Sequence, residues 1–131
     1  MSIRIDCNRV EILHCKNLIF DTLYKNILFH IDKKKTKLSD NLEKMLEKMD
    51  QETYGFGAIS VDIADFIKNK NDLEVFTDLV KESINKYSSE ELKNAPQGFQ
   101  EAVKKLLWNF HKELKEYGEQ LEYNEPQNSD H

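Results

Sequence analysis

The chain has 131 residues, the size of one domain, and 24 Asp and Glu against 19 Lys and Arg leave a net charge of −5. That balance counts against a dedicated nucleic-acid or anionic-membrane binder. Two cysteines exclude a disulfide scaffold, and no apolar run approaches the roughly 18 residues of a membrane span. The first residues lack a signal peptide's apolar core, so a cytoplasmic, reducing location is expected.

Taken in order, Ile3, Ile5 and Cys7 alternate like a strand, but over three positions only. Asn8-Arg9-Val10-Glu11 has the capping-box form, a short polar cap with a carboxylate three residues on, and predicts a helix to about Lys34. Val10, Leu13, Phe20, Leu23, Tyr24, Ile27, Leu28 and Ile31 would form its apolar stripe, with Cys15, Leu18 and Phe29 opposite. Lys33, Lys34, Lys35 and Lys37 suit the negative end of that helix. Ser39 or Asp40 then caps a helix carrying Leu42, Met45, Leu46 and Met49 and ending near Thr53.

Tyr54-Gly55-Phe56-Gly57 reads as a turn. Beyond it, Ile59, Val61 and Ile63 alternate like a strand, while Ser60 could cap a helix bearing Ile63, Phe66 and Ile67. The helix is preferred, with an extended lead-in at 56–59. Asn71-Asp72-Leu73-Glu74 opens an amphipathic helix whose stripe is Leu73, Phe76, Leu79, Val80, Ile84 and Tyr87. Ser88 or Ser89 caps a brief helical turn that Pro96 and Gly98 end. A last helix runs from Gln97 or Gly98 to Tyr123 on Phe99, Ala102, Val103, Leu106, Leu107, Phe110, Leu114, Tyr117 and Leu121. The expected fold is all-α: one antiparallel bundle of about five helices over 1–123, with room for a short extended segment at 2–7 or 56–60. Residues 124–131 form a polar tail.

Chemistry is sparse. His14, Cys15, His30 and His111 show no C-x-x-C, H-x-x-x-H or H-E-x-x-H spacing, so neither metal nor any other cofactor is expected. Gly55 and Gly57 lack the further glycine or Gly-Lys-Ser/Thr of a phosphate loop. A Cys15–His nucleophile pair has no Gly-rich elbow beside it.

Asp62, Asp65, Asp72, Glu74 and Asp78 crowd five acids into 17 residues. They are either a solvated face with helix-start acids or a recognition surface for a basic partner. Trp108 lies outside the last helix's stripe, among Lys104, Lys105, Lys112 and Lys115, and either packs under another element or anchors an interface. Residues 1–37 hold eight Lys and Arg against four acids, net +4, and 38–131 hold 11 against 20, net −9. Such poles steer a partner of opposite sign.

Together, Tyr54-Gly55-Phe56-Gly57-Ala58-Ile59-Ser60-Val61-Asp62-Ile63-Ala64-Asp65-Phe66 and Leu106-Leu107-Trp108-Asn109-Phe110-His111-Lys112-Glu113-Leu114 resemble small immunity proteins of bacterial contact-dependent growth inhibition and related polymorphic toxin systems. The resemblance covers roughly the C-terminal half, and those families are diverse in fold. It implies a non-enzymatic cytoplasmic protein that binds and neutralises a cognate toxin domain, often a nuclease; the charge balance adds the expectation of no direct contact with nucleic acid or membrane. Asp62, Asp65, Asp72, Glu74, Asp78 and Trp108 are then the candidate partner-binding residues. Two other classes stay open: a helical adaptor or self-associating module using Trp108, Leu18 and Phe29, and a small enzyme assembled from His14, His30, His111 and the Asp62/Asp65 pair.

Overall fold

Asn8 and Arg9 both have left-handed backbone, φ 52° and 67°. Two such residues in succession make the tight turn whose twist matches an antiparallel hairpin, and they place a turn where the capping-box spacing predicts a helix start. The computed structural model describes residues 2–50 and 59–123. The hairpin joins β1 (Ser2–Cys7) to β2 (Val10–Lys16), and α1 (Asn17–Lys34) and α2 (Asp40–Met49) follow. Next come β3 (Ile59–Asp62), a single 3-10 turn (Ile63–Asp65), α3 (Lys70–Ser89) and α4 (Gln97–Gly118).

The three strands form one mixed sheet in the order β2-β1-β3, with β1 antiparallel to β2 and parallel to β3. The fold is therefore α+β, and the all-α bundle of about five helices is corrected to four helices and a sheet among the described residues. The predicted long first helix is replaced by β2 and α1, which follow one another without an intervening residue. The register of β2 shifts opposite Ile5 and Asp6, leaving Ile12 as an extra residue. This bulge sets Ile12 beside Leu13, both buried, and so erases the alternation that marks a strand. The preferred helix after Ser60 is replaced by β3 and the 3-10 turn, and the brief helical turn before Pro96 is absent, since Ser88 and Ser89 belong to α3. The turn expected at 54–57 and the tail at 124–131 lie outside the described residues.

Ile3, Ile5, Cys7, Leu13, Cys15 and Val61 bring the inner face of the sheet into the core, where Phe20 of α1, Phe76 of α3 and Phe110 of α4 are almost wholly buried. The outer face is polar. Arg4 Nε lies 2.6 Å from Asp6 and 3.9 Å from Glu11, and the His14 ring lies 3.0 Å from the Ser2 hydroxyl. One solvated and one buried face is the usual arrangement for an antiparallel pair with helices on one side. α3 packs against both α1 and α4.

Burial pushes the thiols of Cys7 and Cys15 from 9.0 to about 11, and the Tyr24 hydroxyl, which donates to the Leu46 carbonyl at 2.9 Å, from 10.0 to about 12. These groups hold their protons more tightly folded than unfolded. Their contribution to stability is full below pH 9 and is lost as pH rises through that value towards 11 and 12. Urea midpoints measured against pH are expected to decline across that alkaline window. A flat profile there would contradict the burial of these groups.

Candidate functional site

The five clustered acids do not share one face. Asp62, at the end of β3, accepts the N–H groups of Asn8 (3.0 Å), Arg9 (2.7 Å) and Ala64 (2.9 Å). Its carboxylate thus fastens the hairpin turn and caps the 3-10 turn, where an acceptor is needed for unpaired N–H groups. Asp72 accepts the Ser39 hydroxyl at 2.8 Å, while Ser39 Oγ accepts the Leu42 N–H and so caps α2. The Asp72 N–H is itself capped by Asn69 at 2.9 Å. Asp65 is exposed on the 3-10 turn.

Glu74 and Asp78 are the pair the fold brings together. Four residues apart on α3, both are exposed on the flank facing α4. Glu74 lines a groove of about 550 Å³ with Lys70, Thr77, His111, Lys112 and Lys115. Leu73 and Gly118 line the same groove, and a Cβ at Gly118 would overlap the Leu73 side chain. Trp108 is half-buried, neither of the two sharp alternatives, and packs against the core. Its ring meets His111 edge-on at 5.5 Å. His111 is pushed below its ordinary value by burial first, then by Lys115 and Lys81, against the opposite pull of Asp78.

The chain returns to the groove after α4. The Lys70 N–H donates to the Glu122 carbonyl at 2.8 Å, the Tyr123 hydroxyl donates to Glu74 at 2.9 Å, and Lys70 Nζ lies 5.5 Å from the Tyr123 ring centroid. Lys70, Lys112 and Lys115 face Glu74, Glu116 and Glu119 around the groove, so its lining is mixed in charge. Sequence spacing assigned no site role to Lys70 or to Tyr123, the expected end of the last helix; α4 ends at Gly118 and the signal of both residues is tertiary. The proximity of Trp108 and His111, three apart on one helix flank, was available from helical geometry.

No known protein-family profile matches the chain, and no curated protein or solved structure matches it at a significant level.

The three histidines of the enzyme reading are not brought together. His14 is on the outer sheet face with Ser2, His30 bonds the Asn26 carbonyl at 2.8 Å on α1, and His111 lines the α3/α4 groove. Among the described residues, no group of three or more His, Cys, Asp and Glu could hold a metal ion. No described helix is long and apolar enough to cross a membrane. Leu18 and Phe29, named in the adaptor reading, are exposed by 76% and 45% on one line of α1.

Proposed function

We propose that this chain is a non-catalytic binding protein that neutralises a basic bacterial toxin domain, the role its sequence resemblance implies, and that it docks through the α3/α4 groove. The observation that supports the reading is the state of Glu74 and Asp78. Both are exposed, and neither pairs with a lysine or arginine among the described residues. A cationic partner can engage them without breaking an internal ion pair, and the half-exposed Trp108 nearby is the kind of residue that anchors an interface. Carboxylates placed against a nuclease's basic cleft would compete with the nucleic-acid backbone by the same electrostatics that bind it.

The test is protection. The domain encoded immediately upstream is expressed in a bacterial host with and without this chain. Growth restored by the chain, with a stable complex recovered, is expected. Undiminished toxicity with no complex would overturn the reading.

The exposure of Leu18 and of Phe29 along one line of α1 favours self-association as a second reading. Sedimentation at two concentrations decides it, a mass that rises with concentration being its signature.

A further inference from the structure

In the strand order β2-β1-β3, β2 is an edge strand, paired on one side only. Among the described residues, no backbone hydrogen bond from outside the sheet reaches residues 10–16. Beyond the bulge its register is regular from Leu13 to Lys16, so its outward N–H and C=O groups are spaced to receive another strand. β3, the other edge, is four residues long and packs against α2.

The two ends of this edge carry opposite charge. At the hairpin end Glu11 is exposed and lies no closer than 3.9 Å to Arg4 or to the His14 ring. A shallow groove of about 250 Å³ beside Val10 and Ile12 adds Glu113 and Glu116 of α4. At the α1 end Lys16 is exposed, with no acidic partner within ion-pair distance among the described residues. Apolar surface accompanies both ends: Val10 (62%) and Leu18 (76%) are the two most exposed large apolar side chains described.

We propose that two copies of this chain associate by pairing their β2 strands, antiparallel about a twofold axis at His14, which joins two three-stranded sheets into one. Lys16 then lies opposite Ile12 of the copy and beside its Glu11, and the reciprocal contact forms at the other end. The same reversal carries Leu18 of each copy to the Val10 end of the other, where the groove is. Pairing in the same direction would set Lys16 against Lys16 and Glu11 against Glu11. An edge with opposite signs at its two ends is complementary to itself reversed, and this selects a second copy as the occupant. The proposal rests on the self-association reading and moves its contact from the α1 line to the sheet edge.

Sedimentation equilibrium over a range of concentrations tests it. The chain is expected to approach twice its monomer mass as concentration rises. Glu11→Lys and Lys16→Glu should each weaken the dimer about tenfold, since each change acts at two symmetry-related places. The double variant Glu11→Lys/Lys16→Glu exchanges the signs and should recover part of that loss. Val10→Ser should also weaken the dimer, while Phe29→Ser, on α1, should leave it unchanged. All four side chains are exposed, and thermal melts check that each variant keeps the fold. A monomer at every concentration would overturn both the edge and the self-association reading. A dimer weakened by Phe29→Ser and indifferent to the charge variants, or single-variant losses that the double variant does not relieve, would overturn the edge alone.

Discussion

Replacing Asp62 by alanine is expected to lower the free energy of unfolding by about 3 kcal/mol, because one carboxylate serves three backbone donors. Two of these, Asn8 and Arg9, lie in consecutive left-handed residues, and Arg9 has no glycine-like freedom to relax there. Water can reach the exposed turn, which holds the loss to about 1 kcal/mol per bond rather than the full value of a charge-assisted one. Asp62→Asn keeps one acceptor oxygen and should fall between. Asp65→Asn, three residues away and exposed, is the control and should change stability by less than about 0.5 kcal/mol. Urea denaturation of the three variants measures the differences. Equal, small effects for Asp62 and Asp65 would return Asp62 to the solvent-exposed acids.

Ile5→Ala carries a larger expected cost, about 4 kcal/mol. Ile5 is fully buried at the centre of the middle strand, opposite Leu13 on one side and Val61 on the other. Removing its branched side chain forfeits the transfer free energy and leaves a cavity that a strand held from both edges cannot close. In an all-helical bundle residue 5 would precede the first helix, and the same change would cost little. A loss below about 1 kcal/mol in urea denaturation would therefore count against the sheet itself.

The elements readable from sequence were those whose signals are local. The stripe Leu73, Phe76, Leu79, Val80, Ile84 and Tyr87 is buried throughout on α3, and Ser39, one of two candidate caps, caps α2. The hairpin was not readable in this way. Asn8 and Arg9 form a turn rather than a cap, the bulge at Ile12 breaks the strand period, and α1 begins at once after β2, so Val10 and Leu13 fall at helical spacing with the residues beyond. β3 is stabilised by parallel pairing with a strand at the far end of the sequence, which no local window contains. The same limit applied to the candidate site. Helical spacing sets Glu74 beside Asp78, whereas the bonds that commit Asp62 to the hairpin turn run to residues 53 and 54 positions away.

Asp62 is committed to holding the hairpin turn, which leaves the Glu74/Asp78 pair to meet a partner. Titration calorimetry of the Glu74→Lys/Asp78→Lys double variant against the upstream-encoded toxin domain tests that role most directly. An affinity loss of at least about tenfold and a weaker salt dependence are expected, with the melting profile kept. Unchanged affinity and unchanged salt dependence in a folded variant would contradict it.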